Sequence, residues 1–270
     1  MGADIKQLRT RIKSVDSTLH LTEAMGLVAS SKMRKSNEAM QKSREYERAL
    51  EETVSMLASC NECKKSPYMA ERETKRTRLV VIAGDRGLAG GYNANIFRLV
   101  KELLAECDAE IIPIGKRSCD RFAGELLYAE DFGYAQAKTL ATRLCEDFAE
   151  GKFDRLGIVC TRYHSMMSQE ATVRYVLPLK ASGKTSKASA IFEPDEVTVL
   201  NAAIPEYLAG ILVSCVKESF ASEVAARRFA MDAAGKNARE MLSDLGLAYN
   251  RARQGAITQE ITEIVAGSGM

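Results

Sequence analysis

Proline is missing from both ends of this chain: all five prolines lie between Pro67 and Pro205. Proline is the residue that most reliably breaks a helix interior. Residues 1–66 and 206–270 can therefore each form one long helix. At ~1.5 Å of rise per residue, each end can span on the order of 90 Å, more than a compact domain buries. Tryptophan is also absent and aromatics are only 6%, which favours helix packing through small and aliphatic side chains. The net charge of +2 makes no case for nucleic-acid binding, which usually needs a clearly basic surface. No run of 18 or more apolar residues occurs, which predicts no membrane-spanning segment. Residues 1–12 carry Lys6, Arg9 and Arg11 but no apolar core, so they read as mature structure and not as a secretory signal.

Catalytic and metal chemistry is equally thin. Only two histidines are present, His20 and His164, in unrelated contexts. They assemble no Ser/His/Asp or Cys/His arrangement. No H-E-x-x-H or paired-carboxylate pattern stands out. The seven cysteines are scattered and odd in number, which reads as a reducing compartment. Cys60-x-x-Cys63 is the one close pair. A zinc or redox half-site and two free thiols near a helix end both fit it. Zinc needs a second ligand pair, which favours free thiols.

What is present begins with a seam. Ile5, Leu8, Ile12, Val15 and Leu19 are spaced 3, 4, 3, 4, as in a coiled coil. The register continues through Thr22, Gly26, Ala29, Met33, Ser36 and Met40, where small or flexible residues permit close helix approach. It resumes at Leu50, Val54 and Leu57. Gly26 costs ~1 kcal/mol of helix propensity against alanine, so close packing or partner contact must account for it. Residues 1–50 hold 10 Lys/Arg and 6 Asp/Glu, with much of the excess in Lys32, Arg34 and Lys35. A solvated helix face or contact with an acidic partner would explain that cluster.

Residues 61–77 are polar and form a linker. The apolar run Leu79-Val80-Val81-Ile82-Ala83 then reads as a buried parallel strand. Strands are also expected at Ile111–Ile114, Leu156–Thr161 and Thr172–Leu179, the last as an edge. Helices are expected near 94–107, 116–124 and 135–149. This alternation predicts an α/β layer with a mostly parallel sheet. Residues 182–189 are a loop by composition. A last helix is expected to open near Pro205. It carries an apolar stripe from Leu208, an alanine-rich stretch from Ser222 to Ala238, and only Glu260 and Glu263 as charges after Gln254.

Two glycine-containing segments invite a nucleotide reading. Gly84-Asp85-Arg86-Gly87-Leu88-Ala89-Gly90-Gly91-Tyr92-Asn93 follows a strand and opens a helix, where an α/β fold can cradle phosphate. The G-x-G-x-x-G fingerprint is missing, which favours a tight crossover. Gly183-Lys184-Thr185 imitates the end of a P-loop, but Pro178 stands where the first glycine must be.

Four segments together resemble the gamma subunit of F-type ATP synthases, in the right order and across the whole chain. They are 250–264 (NRARQGAITQEITEI), the start at Ile12–Val15 with Thr22–Lys35, the central 84–93, and 222–231 (SEVAARRFAM). The resemblance implies a rotor. Its Rossmann-like α/β domain would carry long N- and C-terminal helices paired as an antiparallel coiled coil. Implied boundaries are 1–60 for the first helix, 61–77 for the linker, 78–200 for the α/β domain and 206–266 for the last helix. The implied partners are a ring of alternating alpha and beta subunits, the epsilon subunit and the membrane c-ring, with one copy of the shaft per complex. Ion flow through the c-ring would turn the shaft, while ATP chemistry stays on the beta subunits. The resemblance implies no catalytic residue, cofactor or metal of the chain's own.

Carried over by position, Arg253, Gln254 and Thr258 would hydrogen-bond a loop of the beta subunit. Met25 and Arg227 would lie at the coupling region between shaft and ring. Lys32, Arg34 and Lys35 would face acidic beta segments, and Glu193, in Phe192-Glu193-Pro194-Asp195, would lie near epsilon and the c-ring. Two positions depart from the family pattern. His20-Leu21 replaces a usual Lys-Ile step, and Ala89 stands where cysteine is usual. The regulatory insertion of chloroplast versions is absent, so no redox control passes to Cys60 and Cys63. With no transit peptide ahead of the signature, a bacterial chain on the cytoplasmic side of the cell membrane is expected, with a mature organelle protein as the alternative. The rival reading is a nucleotide-binding α/β enzyme with a coiled-coil dimerisation arm.

Overall fold

Leu79, Val80, Val81 and Ile82 are all fully buried, although consecutive residues of a strand face opposite ways. The strand must therefore be covered on both faces. In the computed structural model, which describes residues 2–70, 72–180 and 192–267, it is. Nine main elements follow in order. They are α1 (Gly2–Ala58), β1 (Thr77–Ile82), α2 (Tyr92–Glu106), β2 (Ala109–Ile114), α3 (Lys116–Phe122), α4 (Tyr134–Ala149), β3 (Arg155–Tyr163), β4 (Gln169–Leu177) and α5 (Glu196–Gly267). A 3-10 turn at Glu62–Lys65 follows α1. The loop expected at 182–189, with its Gly183-Lys184-Thr185, lies outside the described residues.

The chain divides into two units, Ser31–Ala226 and Met1–Ser30 with Arg227–Met270. In the larger unit the four strands run β2-β1-β3-β4. β1 pairs in parallel with β2 and β3, and β4 closes the edge antiparallel to β3. Period-2 alternation sorts β1 into two cores. Leu79 and Val81 join Ile96 and Val100 of α2. Val80 and Ile82 join Leu57 of α1, Leu144 and Phe148 of α4, and a row along α5 from Leu200 to Val216. The result is an α/β sandwich whose long terminal helices help to build its core.

α5 begins at Glu196, nine residues before Pro205, which lies inside the helix. The expectation of a start at Pro205 is corrected by a stronger signal. Asp195 caps the helix: its Oδ1 accepts the Thr198 N–H at 2.9 Å, and Thr198 Oγ1 donates to its Oδ2 at 2.8 Å. Such side-chain acceptors satisfy amides that the first turn leaves orphaned. By length and mean hydropathy α5 also carries one stretch apolar enough to cross a membrane, although no unbroken apolar run reaches 18 residues. Leu200, Ile204, Leu208, Ile211, Leu212 and Val216 on this helix are fully buried, so its apolarity builds the core.

In the larger unit, Tyr46 and Leu50 of α1 close on Gly210 of α5. A Cβ added there would meet Leu50 Cδ1 at 2.2 Å. In the smaller unit, Leu19 and Thr22 lie against Gly235, and Gly26 lies against Met231. Rising numbers on α1 meet falling numbers on α5, so the helices are antiparallel. Thr22, Gly26 and Ala29 of the seam are buried in this smaller unit, and Ser36 and Met40 are buried in the larger one.

Candidate functional site

The 84–93 segment is closed on itself. Asp85 is 9% exposed, and its carboxylate accepts three backbone N–H groups. Oδ1 takes those of Lys116 (3.0 Å) and Ala129 (2.9 Å), and Oδ2 takes that of Glu130 (2.8 Å). Asn93 Oδ1 accepts the Gly84 N–H at 2.9 Å, and the buried Tyr92 hydroxyl donates to the Ser219 carbonyl at 3.0 Å. Burial and the nearby Glu223 carboxylate push the Tyr92 phenol far above its ordinary range. Gly84 is required by space: a Cβ there would lie 2.8 Å from Cδ of the buried Glu223. The polar groups that a phosphate cradle would offer are engaged in holding α2, α3 and α5 together. The tight-crossover reading is therefore the one this geometry supports.

Glu130 extends this knot to α1. Its carboxylate meets Lys32 Nζ at 2.5 Å and Arg86 at 3.7 Å. Of the three basic residues expected to face a partner, Lys32 is thus already paired within the chain. Among the described residues Arg34 pairs only with Glu38, at 3.9 Å with both side chains largely exposed, and Lys35 is exposed. Glu193 is exposed ahead of the Asp195 cap.

In the smaller unit Met25 and Arg227 are half-buried, and Arg227 is engaged within the chain. Its neighbour Arg228 makes the bridge that sequence reasoning missed. The Arg228 guanidinium donates to the Gly26 carbonyl at 3.1 Å and to Ser30 Oγ. Arg239 meets Glu23 at 2.6 Å. Successive helix residues point about 100° apart, so Arg227 and Arg228 present different directions on α5. The helical phase set by Val224 and Met231 could have separated them. An added Cβ at Gly26 would meet Met231 Cβ at 3.8 Å, an ordinary contact. Packing within the chain therefore does not demand glycine at 26.

The end of α5 is different again. Arg253, Gln254 and Thr258 are all exposed, and Thr258 Oγ1 donates to the Gln254 carbonyl at 2.9 Å. Ile257, Ile261, Ile264 and Val265 are between 48% and 65% exposed. A run of large apolar side chains left in water marks a surface built for contact. Among the described residues, and apart from α5's own neighbouring backbone, nothing lies within 4 Å of the Cβ position at Gly255. Among the described residues no group of three or more His, Cys, Asp or Glu side chains could hold a metal ion.

The sequence pattern of the ATP synthase family (ATP-synt) matches residues 4–269. A relative from Acetobacterium woodii, "ATP synthase gamma chain, sodium ion specific", is 37% identical over 298 residues, covering 99% of each chain. The chain belongs to the ATP synthase gamma-chain family. The gamma chain of Ruminococcus albus is 39% identical over 282 residues, covering 98% of each. Among solved structures, a chain of the Euglena gracilis mitochondrial ATP synthase, captured as OSCP/F1/c-ring, superposes with a TM-score of 0.74. It covers 99% of this chain and 94% of that one, at 19% identity. A chain of the Tetrahymena thermophila central stalk and c-ring gives 0.65 at 23% identity, over 79% of this chain and 99% of that one. These two likenesses concern the fold. For a gamma chain, the surfaces to explain are the exposed apolar end of α5 and the exposed cations of α1.

Proposed function

We propose that this chain is the central rotary shaft of an F-type ATP synthase, coupling ion flow through a membrane c-ring to ATP synthesis or hydrolysis on the beta subunits. Membership of the gamma-chain family carries this reading. The uncovered apolar end of α5 supports it. The chain itself is non-catalytic. Its partners are the alpha and beta subunits, the epsilon subunit and the c-ring, and one copy serves each complex. It sits peripherally on the cytoplasmic side of a bacterial membrane.

The residue roles are those that the resemblance to the family implies, and the exposure of Arg253, Gln254 and Thr258 is consistent with them. Arg253, Gln254 and Thr258 offer donors and acceptors to a beta-subunit loop. Arg34 and Lys35 face acidic beta segments, and Lys32 shares this role only by exchanging Glu130 for a beta carboxylate. Met25 and Arg227 mark the coupling region, and Glu193 points to epsilon and the c-ring. The proposed division is 1–60, 61–77, 78–200 and 206–266, with the Asp195 cap assigning residues 196–205 to the last helix as well.

A shaft drives a site only by binding its conformations unequally. Moving a two-state site from 1:99 to 99:1 takes about 5.5 kcal/mol of differential affinity. Fully burying an aliphatic side chain is worth about 1.5–3 kcal/mol, so covering four half-exposed ones gives several kcal/mol. An apolar tip in an apolar sleeve makes that contact at every angle, however. It holds the shaft without selecting a state. Selection is assigned to charged positions away from the tip: Arg34 and Lys35 in the larger unit and Arg227 in the smaller one.

Co-expression of a tagged chain with the alpha and beta subunits of its own source tests the reading. An assembled particle with ATPase activity, containing one copy of this chain, is the expected product. Recovery of the chain without alpha and beta, under conditions where those subunits are folded, would sink it. The rival enzyme reading needs tight nucleotide binding by the full chain alone, which calorimetry would reveal.

A further inference from the structure

A cavity of about 880 Å³ lies among α1, β3, β4 and α5, all within the larger unit. That is the size of a small-molecule pocket. β3 contributes Cys160 and Arg162 from its carboxyl half, the end of a parallel strand at which open α/β sheets hold ligands. Four arginines line the wall against three glutamates. The glutamates are already engaged. Glu218 takes Arg44 at 2.5 Å and the Tyr163 N–H at 2.9 Å. Glu47 takes Arg174 and the Ser214 hydroxyl, and Glu51 takes the other arm of Arg174. Arg48 and Arg162 are left over. Neither guanidinium has an ion pair or a hydrogen bond among the described residues.

Within the chain alone this placement is unfavourable. Arg48 follows Arg44 by four residues on α1, which sets two like charges on one helix face. Arg162 stands opposite Glu170 across the β3–β4 ladder, but Glu170 meets His164 at 3.1 Å instead. Two cations therefore share one concave wall with no counter-charge of their own. A cleft lined by one sign of charge focuses the field and concentrates ions of the other sign.

We propose that this cavity binds a compact dianion of the phosphate class through the guanidinium groups of Arg48 and Arg162. Charge decides the class, since two unpaired guanidiniums match two negative charges. Shape agrees, because a guanidinium presents a planar fork of N–H donors that fits phosphate oxygens two at a time. Thr172, on the same wall, adds a hydroxyl. An apolar ligand is excluded by chemistry, because arginines and glutamates make up most of the lining. The bound anion joins α1 to β3 and braces the helix on the sheet. The inference stands whether or not the chain is a rotor.

The test is calorimetric titration of the full-length chain with inorganic phosphate, at slightly alkaline pH and constant ionic strength set with chloride. Saturable binding at one site per chain is expected, and it should weaken as salt is raised. Arg48→Gln and Arg162→Gln replace exposed side chains and should keep the fold, each lowering the affinity about tenfold or more. The double variant should give no saturable heat. Arg98→Gln removes an exposed arginine outside the cavity and should bind as wild type does. Hydrogen exchange locates the ligand: phosphate should slow the amides around Arg48 and Arg162 in wild type and leave them unchanged in the double variant. Should a variant misfold, the wild-type titration and exchange map decide alone. Phosphate bound by a folded double variant as tightly as by wild type overturns the proposal. So does a wild-type chain with no saturable heat at millimolar phosphate, or with protection confined to segments outside the cavity.

Discussion

Asp85→Ala should break the knot that joins the 84–93 segment to α3 and to the chain before α4. Three backbone N–H groups lose a charged acceptor at once. Hydrogen bonds to charged groups are worth about 1.5–3 kcal/mol each, and a buried orphan donor costs the upper end of that range. Ala129 is 2% exposed, so its amide cannot turn to water and contributes about 3 kcal/mol. Lys116 and Glu130 are exposed residues whose amides can recruit water, so each adds roughly 0.5–1 kcal/mol. The sum is about 4–5 kcal/mol, of which the lower value is used below. Asp85→Asn keeps an oxygen for Lys116 and Ala129 but turns an NH₂ toward the Glu130 N–H, and should cost about 2 kcal/mol. Hydrogen exchange reads both values locally, since 1.36 kcal/mol is a factor of ten. The amide of Ala129 should exchange roughly a thousandfold faster in the alanine variant and roughly thirtyfold faster in the asparagine variant. Exchange within tenfold of wild type in Asp85→Ala would refute the three-acceptor account. So would an asparagine variant weaker than the alanine one.

Gly26→Ala should stabilise the chain by up to ~1 kcal/mol, because a Cβ there meets only ordinary contact. Any accompanying fall in coupled ATP synthesis is then assigned to a partner surface, and a lower urea midpoint contradicts the packing. Gly84→Ala should do the reverse. Its Cβ would drive into the buried Glu223 carboxylate, at a cost of about 1–3 kcal/mol measured by denaturation. Arg253→Ala and Gln254→Ala alter exposed positions and should move stability by less than ~0.5 kcal/mol. Both should impair ATP synthesis in membrane vesicles, and unchanged synthesis in both would remove their proposed role. Asp147, through Lys152 and Arg78, and Asp154, through the Arg76 and Lys75 amides, are held below the ordinary value of 3.8. A depressed carboxylate stabilises the fold above its unfolded pKa, and that stability is lost as pH falls through the folded value. The urea midpoint should therefore be flat down to about pH 4 and fall below it. Asp154→Asn should shrink that fall, and an undiminished one would count against the assignment.

The sheet was legible because β1 is covered on both faces, so Leu79 to Ile82 read as one unbroken apolar run. The helix pairing was legible because small residues recur in one register from Thr22 to Ser36, where Thr22, Gly26, Ala29 and Ser36 are buried and Thr22 and Gly26 lie against α5. The start of α5 was misread because Pro205 is a loud signal and the Asp195–Thr198 cap a quiet one. A proline near the start of a helix tells that a start is close, not where it lies. Lys32 reads as a free cation in sequence, since its partner Glu130 is 98 positions away. Distance in the chain likewise hides Asp85 from the amides it collects. Periodicity finds faces, but it does not find the polar partners that tertiary contact brings to them. The exposed end of α5 was legible only in part: its lack of charge is visible in the sequence, its lack of cover is not.

The double burial of β1 has a consequence for how the chain is made. β1 ends at Ile82, but its parallel partner β3 begins at Arg155, and the α5 residues that cover its second face extend to Val216. Translation runs at about 5–20 residues per second, so this strand emerges many seconds before its last cover does. During that interval an apolar segment with strand propensity is available to any similar segment on a neighbouring ribosome. The pairing that makes β1 the most protected strand of the finished molecule makes it the most vulnerable one in the nascent chain. Yield in overexpression should therefore respond to chaperone supply and to the speed of synthesis between residues 82 and 216.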